Sequence, residues 1–382
     1  MDVYIVSAVR TPIGKFGGTL KDFSAVQMGS IVISEAVKRS KIPLEEIDMV
    51  IMGNVLRAGH GQDISRQCAI MAGIPDNVDA YSIDMVCSSG MMSIISATQM
   101  IKAGDAHAVI AGGTESMSQA QFAASLRYYT RADAELALKN TMFTDGLRDP
   151  FNMKLMGEEA DMVATEQGAT REELDRISYE SHIRAAGAAD SGHFNREIVT
   201  MPNGTVNDEG IRRDTSIEKL SKLKPTFGGL HTAGSSSQIS DGAAALVLAD
   251  EATVKWTSVK PIAKITGYSW AGVKSYKFSE APIIAVKKLL NRTGLKLSEV
   301  DYFENNEAFA VSSYLFMKEF GIQEERLNPW GGAIALGHPI GASGARLVVT
   351  MLNYLNELHA RTGIASLCHG IGGATAMLFE VV

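Results

Sequence analysis

The sequence predicts an α/β protein built from two similar halves, with a large helix-rich insertion. Three observations support this prediction. Apolar strand-like runs alternate with helix-like stretches, short motifs recur at an offset of about 250 residues, and a charged segment from about 119 to 249 interrupts the alternation. Strands that alternate with helices favour a parallel or mixed sheet covered by helices.

The elements follow one another in a regular order. The apolar start MDVYIVSAVR indicates a buried strand, and Ser24 is placed to cap a helix over residues 24–41. Further strands are predicted in the apolar runs at 49–55, 81–86, 106–113, 241–252 and 260–270. We therefore expect three units: a first half over 1–118 to which 250–262 return, an insertion over 119–249 that carries binding surfaces, and a second half over 263–382.

An internal repeat supports the two halves. Segment 43–50, PLEEIDMV, matches segment 296–303, KLSEVDYF, at an offset of 253, with Leu, Glu and Asp at corresponding positions. About 40 residues further on in each half, a turn of small residues opens a helix, at Cys87 in the first half and at His338 in the second. Two duplicated halves would bring these turns together, whereas the alternative is a coincidence of short, common α/β patterns.

Composition limits the classes of function. The 382 residues are 46% hydrophobic and 21% charged, which is typical of a soluble globular protein with more than one domain. The net charge of -7 does not favour binding to nucleic acid or to an anionic membrane. An anionic ligand must therefore bind at a local group of basic residues. The three cysteines have no metal-site spacing, and the chain shows neither a signal sequence nor a membrane-spanning run. We expect a cytoplasmic protein.

Four motif residues indicate acyl-transfer chemistry. Cys87 ends a strand and precedes Ser-Ser-Gly and an apolar helix, where free amide groups and the helix dipole favour a thiolate. Alone this signal is weak, because free cysteines are more often buried core residues. Asn306 in NEAFA, His338 in GHPIGASG and Cys368 in CHGIGG complete a set of two thiols, an imidazole and an amide. Such a set can carry an acyl group, move protons and stabilise an oxyanion.

These motifs, in this order and over essentially the whole chain, resemble those of the thiolase family. They are AVRTPIGKFGG near the start, GHGQDISRQ at 59, CSSGM at 87, AGGTESMS at 111, TAGSSSQISDGAAA at 232, NEAFA at 306, GGAIALGHPIGASG at 331 and CHGIGG at 368. The resemblance implies a five-layered αβαβα fold made of two duplicated halves with an inserted loop domain that binds coenzyme A. It also implies a homodimer or homotetramer.

The resemblance assigns roles by position. Cys87 would be the nucleophile that becomes acetylated, His338 would take its proton, and Cys368 would exchange the α-proton of a second acetyl-CoA. Asn306 would hold a water that forms one oxyanion hole with His338, and the backbone amides of Cys87 and Gly370 would form another. The implied reaction is the reversible condensation of two acetyl-CoA to acetoacetyl-CoA and CoA, with no metal or separate cofactor.

Coenzyme A contacts and the acyl pocket are implied by looser matches. The implied residues are Arg212, Ser237, Phe227 and Met156 along the coenzyme A slot and Ala308 and Phe309 at the acyl pocket. Three positions depart from the family pattern. Leu155 stands where histidine is common, Trp330 where a small or polar residue is common, and Phe278 where methionine often lies beside the acyl group. A ring at 278 would favour short acyl chains, although simple repacking is the alternative.

Other functions stay open at this stage. A degradative 3-ketoacyl-CoA thiolase of broader chain length would differ in the pocket volume around Phe278, Ala308 and Phe309. A non-catalytic scaffold that binds acyl-CoA, or a protein that passes acetoacetyl-CoA to a downstream enzyme in a complex, is a more remote alternative. A decarboxylating condensing enzyme shares the duplicated fold, but Cys368 argues against its characteristic site.

Overall fold

The computed structural model describes residues 1–125 and 130–382 as one sheet-centred α/β structure. The strands are β1 Val3–Arg10, β2 Gly14–Lys15, β3 Met49–Gly53, β4 Asp79–Ile83, β5 Ala108–Ser116, β6 Phe122–Ala123, β7 Lys139–Asn140, β8 Ser240–Asp250, β9 Ala263–Gly272, β10 Tyr302–Asn305, β11 Thr362–His369 and β12 Gly373–Val381. The helices are α1 Ala25–Ser40, α2 Ile64–Met71, α3 Ser89–Ala103, α4 Arg131–Leu136, α5 Met156–Glu166, α6 Arg171–Asp190, α7 Ile217–Ser221, α8 Glu251–Thr257, α9 Ala281–Thr293, α10 Ala310–Phe320, α11 Ala333–Leu336 and α12 Ser343–Glu357. In the part of the chain that is described, no helix is long and apolar enough to cross a membrane.

The sheet shows the duplication directly. Its strand order is β10-β11-β12-β9-β1-β8-β5-β3-β4, and β2 pairs with β8 outside this path. The halves join where β1 runs antiparallel to β9, with Tyr4 opposite Lys264. The repeated motif forms the same structure twice, because Leu44–Glu46 and Leu297–Glu299 are each a single 3₁₀ turn that leads into β3 and β10, respectively. The predicted α/β fold with two similar halves is therefore confirmed.

Five layers follow from the packing of the helices. Helices α1 and α2 cover one face of the first half of the sheet, and α9 and α10 cover the outer face of the second half. Helices α3 and α12 lie between the halves, where they contact each other and strands of both. Three apolar cores separate these layers. Every residue of β5 and of β8 is buried, as expected for strands with helices on both faces.

Glycines allow the central helices to touch at the level of the backbone. A Cβ atom at Gly90 of α3 would lie 2.9 Å from the amide nitrogen of Ala345, and one at Gly344 of α12 would lie 2.3 Å from that of Met91. Real Cβ atoms do not approach other atoms so closely, so a side chain at either position would push the helices apart. The turns that precede α3 and α12 are thereby held next to each other.

The insertion lies between β5 and β8. It contains helices α4 to α7, and α6 is capped by Thr170, whose hydroxyl oxygen accepts a hydrogen bond from the Glu173 amide. Strand β8, the greater part of which falls within the predicted unit 119–249, pairs with β1 and β5 inside the sheet. The division into three units stays a prediction, and in such a division β8 belongs with the first half.

A buried ion pair fastens the insertion to the first strand. The Arg10 guanidinium, at the end of β1, donates from Nε to Glu197 at 2.6 Å and from both terminal nitrogens to Asp208 at 2.7 and 2.9 Å. The side chains of Arg10, Glu197 and Asp208 in these ion pairs are fully buried. Removing one member of such a group leaves charges buried without compensation.

We expect Arg10→Ala to lower the free energy of unfolding by about 3–5 kcal/mol, because two carboxylates would stay buried without their cation. Urea denaturation followed by circular dichroism measures this loss. The control is Lys255→Ala, which removes an exposed pair with Glu251 and should cost less than about 1 kcal/mol. Equal effects of the two substitutions would contradict a structural role for the buried group.

Candidate active site

Cys87 lies in a strained turn between β4 and α3. The preceding residue, Val86, has a φ of 48°, which is unusual for a β-branched side chain. The hydroxyl of Ser89 holds the turn, because it accepts from the Met85 amide at 2.9 Å and donates to the Val86 carbonyl at 2.6 Å. The turn leaves Cys87 half-buried at the wall of a cavity. Strain of this kind is often found at functional sites.

One cavity of about 520 Å³ brings the sequence-predicted residues together. Its walls include Cys87, His338, Cys368 and Gly370 from the predicted reaction centre. They also include all the predicted binding residues, namely Arg212, Ser237, Phe227, Met156, Ala308 and Phe309. Asn306 does not line the cavity, but it contacts the imidazole of His338. Segments more than 200 residues apart in the sequence therefore meet at this cavity.

His338 is a buried, neutral base. Its Nδ1 atom lies 2.5 Å from Ser343 Oγ, and its Nε2 atom lies 3.4 Å from Asn306 Nδ2. Its backbone amide donates to the Gln238 carbonyl at 3.1 Å. Burial and, to a lesser extent, the positive charge of Arg346 lower the pKa of His338 to about 3. The imidazole is therefore unprotonated at neutral pH and can accept a proton.

The two cavity thiols are also neutral in the free protein. Burial raises the pKa of Cys87 to about 12, although hydrogen bonds from the backbone amides of Gly370 and of Cys87 itself oppose this effect. Burial, together with the nearby Cys87, raises the pKa of Cys368 as well. The two amides that approach the Cys87 sulfur are those that the sequence comparison assigned to an oxyanion hole. Such donors stabilise negative charge that develops near the sulfur.

The NEAFA segment is held by a buried polar network. The backbone amide of Asn306 donates to the Ser366 carbonyl at 3.0 Å. The Glu307 carboxylate accepts from Ser181 at 2.6 Å and from Asn328 at 2.9 Å, which indicates a structural role for this carboxylate. The side-chain oxygen of Asn306 is buried and has no hydrogen-bond partner among the described residues. It is available to a ligand or a water molecule.

Aromatic side chains form part of the cavity wall. Phe309 makes edge contacts with Phe227 and Phe278, each at a centroid distance of 6.1 Å. Phe278 is 2% exposed and is one of the lining residues. Leu155 also lines the cavity, whereas Trp330 packs in the core against His193 at 4.9 Å. Of the three departures from the family pattern, Leu155 and Phe278 thus lie at the site and Trp330 packs elsewhere.

The mouth of the cavity carries positive charge. Arg212 and Lys15 line it, and within the described ranges the Arg212 guanidinium makes no ion pair. Lys15 and Phe16 were not singled out from the sequence, although both belong to the motif AVRTPIGKFGG.

His369 also lines the cavity, where its Nδ1 atom lies 2.8 Å from the Gly370 carbonyl oxygen. Across residues 1–125 and 130–382, no cluster of three or more potential metal ligands is found.

Comparisons with known proteins agree with this geometry. The sequence profile described as Thiolase, N-terminal domain matches residues 3–252, and that described as Thiolase, C-terminal domain matches residues 259–381. An acetyl-CoA acetyltransferase of Synechocystis is 49% identical, and one of Syntrophomonas wolfei is 42% identical. Both alignments cover 100% of this chain, and they cover 100% and 99% of the respective relative.

Two crystal structures have the same fold over the whole chain. The Acat5 thiolase from Ascaris suum, solved in complex with coenzyme A, has a TM-score of 0.95 and 42% identity, with 100% of both chains covered. The acetyl-CoA acetyltransferase of Bacillus anthracis has a TM-score of 0.96 and 37% identity, with 100% of this chain and 99% of the other covered.

We expect iodoacetamide to modify Cys87 faster than Cys68, because Cys68 is fully buried in the core whereas Cys87 borders the cavity. Since the pKa of the Cys87 thiol is raised, its thiolate fraction should grow about tenfold per unit between pH 7 and pH 10. Peptide mapping by mass spectrometry at several pH values measures both rates. A rate at Cys87 that levels off below pH 8 would contradict the raised pKa.

Proposed function

The chain belongs to the thiolase family, and from this premise we propose that it condenses two acetyl-CoA molecules to acetoacetyl-CoA and free CoA. The reaction is reversible and passes through an acetyl group on Cys87. The observation that carries this proposal is the meeting of two thiols, a neutral imidazole and converging amide donors at one cavity. The names of the relatives that align over the full length support acetyl-CoA as the substrate.

In the first half-reaction, His338 accepts the thiol proton of Cys87 as the sulfur attacks the acetyl carbonyl carbon. The bond between that carbon and the CoA sulfur breaks, and the proton passes from His338 to the departing thiolate. The neutral state of His338 supports its role as the acceptor, because only an unprotonated imidazole can take the proton. The amides of Cys87 and Gly370 stabilise the oxyanion on the carbonyl that is bonded to Cys87, and their hydrogen bonds to the Cys87 thiol support this role.

In the second half-reaction, the Cys368 thiol first passes its proton to Nε2 of the neutral His338, and the resulting thiolate removes a proton from the methyl group of a second acetyl-CoA. The resulting enolate attacks the acetyl group on Cys87, the bond to sulfur breaks, and His338 gives its proton to the departing Cys87 thiolate. Until then His338 Nε2, which carries the proton taken from Cys368, stabilises the enolate oxygen together with a water bound to Asn306. The buried, unpartnered side-chain oxygen of Asn306 supports this assignment, because it can accept a hydrogen bond from such a water.

Coenzyme A occupies the outer part of the cavity. Arg212 and Lys15 at the mouth suit the negatively charged phosphates, while Ser237, Phe227 and Met156 border the path inward for the pantetheine arm. The Ser237 amide donates to the Ala308 carbonyl at 2.9 Å, which joins the insertion side of the cavity to the NEAFA segment. No metal or separate cofactor takes part in this scheme.

Phe278 and Phe309 favour a short acyl chain. Their rings contact each other and both line the cavity, which supports a bulky wall that limits the length of the acyl chain. A degradative thiolase of broader chain length would need this wall to move. Acetoacetyl-CoA is therefore the substrate that we propose for the cleavage direction.

We expect the purified protein to gain one acetyl group on mixing with acetyl-CoA, as measured by intact-mass spectrometry. Cys87→Ser should abolish this gain and reduce thiolysis of acetoacetyl-CoA at least about a thousandfold, because the nucleophile is lost. Cys68→Ala is the matched control, since Cys68 is a buried thiol outside the cavity and its removal should leave acetylation intact.

The same assay separates the alternatives. Thiolysis of acetoacetyl-CoA alone supports the short-chain proposal, whereas comparable turnover of longer 3-ketoacyl-CoA substrates would identify a degradative thiolase. Absence of both acetylation and thiolysis would leave a scaffold that binds acyl-CoA. Transfer of acetoacetyl-CoA within a complex to a downstream enzyme and a cytoplasmic location stay predictions.

We further propose a homodimer or homotetramer, because β4 forms an open edge of the sheet next to half-buried apolar side chains. These side chains are Tyr81, Ile83, Met92 and Met100. Light scattering on the purified protein should give two or four times 41.0 kDa. Ile83→Lys, which places a charge at this edge, should shift the mass toward that of the monomer. A monomeric mass for the unaltered protein would contradict the proposal.

A further inference from the structure

We propose that Ser343 is a positioning residue that keeps the proton of neutral His338 on Nδ1, so that Nε2 faces the reaction centre as a free base. Ser343 does not line the cavity and acts only through the imidazole. The position of the proton follows from contacts within the chain alone. Its effect on the reaction rate rests on the function proposed above.

The carbonyl oxygen of Pro339 is the starting point, because a carbonyl oxygen can only accept hydrogen bonds. It accepts from the backbone amides of Ala342 at 3.0 Å and of Ser343 at 2.9 Å. The Ser343 hydroxyl oxygen lies 2.8 Å from the same carbonyl oxygen. In this contact the hydroxyl must be the donor, so its single hydrogen points at Pro339.

The direction of the next hydrogen bond is then determined. Ser343 Oγ lies 2.5 Å from His338 Nδ1, and it has no second hydrogen to donate. The hydroxyl oxygen must therefore accept, and Nδ1 must carry the proton. In a neutral imidazole the other nitrogen, Nε2, then has a free lone pair.

The contact on the opposite side of the ring agrees with this assignment. His338 Nε2 lies 3.4 Å from Asn306 Nδ2, which can only donate. A donor at this position requires Nε2 to be unprotonated. The two sides of the ring thus select the same tautomer, one through Pro339 and Ser343 and the other through Asn306.

A buried ion pair holds both partners of the imidazole in place. Ser343 is the first residue of α12, and Arg346 in the next turn donates to Glu304 of β10 at 2.8 Å. Strand β10 ends at Asn305, immediately before Asn306. The side chains of both Arg346 and Glu304 are at most 2% exposed. The groups on either side of His338 therefore cannot shift independently.

A serine behind the histidine has a different effect from the carboxylate of a Ser-His-Asp triad. A carboxylate stabilises the imidazolium after proton uptake, whereas a hydroxyl that already donates elsewhere offers only a neutral acceptor. Arg346 adds positive charge nearby and disfavours the imidazolium further. His338 is thus suited to pass its proton on at once to the leaving thiolate.

Solid-state nitrogen NMR of protein that carries isotope-labelled histidine tests the assignment without substrate. The chain has eight histidines, and the signal of His338 is identified by its loss in His338→Gln. We expect the proton on the nitrogen bonded to Cγ, which is Nδ1, in the unaltered protein. A proton on Nε2 would overturn the proposal, whether or not the protein is active.

Variants test the consequence for the reaction. Ser343→Ala should allow the proton to move to Nε2 and lower kcat for acetoacetyl-CoA thiolysis about ten- to a hundredfold, with KM little changed. Ser343→Thr, which keeps the hydroxyl, should restore the tautomer and most of the rate. The control is Ser178→Ala, which removes a buried helical hydroxyl that donates to the Leu174 carbonyl at 2.7 Å. This variant should leave both the tautomer and the rate unchanged.

The outcomes separate this inference from the proposed function. An unchanged kcat in a folded Ser343→Ala variant would overturn the positioning role. An unaltered protein that lacks thiolysis but carries its proton on Nδ1 would refute the proposed function while the tautomer assignment holds.

Discussion

The close approach of helices α3 and α12 is the constraint on which the rest of the structure depends. The two helices lie between the halves of the sheet and touch at Gly90 and Gly344, where no side chain separates the backbones. The turn before α3 carries Cys87, and the turn before α12 carries His338. Because both turns lie at the same end of the paired helices, Cys87 and His338 line the same cavity without any further element. The duplication of the fold thus produces a site that neither half forms alone.

Burial determines the electrostatics of this site. The thiols and the imidazole are all neutral in the free protein, since charged forms are costly in an apolar interior. A negative charge that develops during a reaction must then be stabilised by hydrogen-bond donors that are already in position. The amides of Cys87 and Gly370 are such donors, and the strained turn at Val86 helps to aim one of them.

The insertion adds binding to this reaction centre. Arg10 ties it to the first strand through buried carboxylates, so that the cavity wall contributed by Met156, Phe227 and Ser237 is fixed relative to the sheet. Gly157 allows Phe227 to lie against α5, because a Cβ atom there would be 2.2 Å from the ring. The insertion and the two halves of the sheet can therefore bind different parts of one ligand. The packing between them sets the relative position of these parts.

The sequence by itself determined the fold class and the duplication, and it predicted reacting groups that the structure brings to one cavity. Hydrophobic periodicity indicates which face of a helix or strand is buried, and the motifs around Cys87, His338 and Cys368 are typical of acyl-transfer chemistry.

Tertiary structure alone decided that β8 lies inside the sheet, that Lys15 lines the cavity and that Trp330 does not. It also decided the partner of each nitrogen of His338. Asn306 and Ser343 lie on opposite sides of the ring, yet the spacing of these residues along the chain carries no information about which nitrogen each one faces. The orientation of a side chain relative to its neighbours depends on how the layers of the fold pack. The order of residues along the chain does not contain this information.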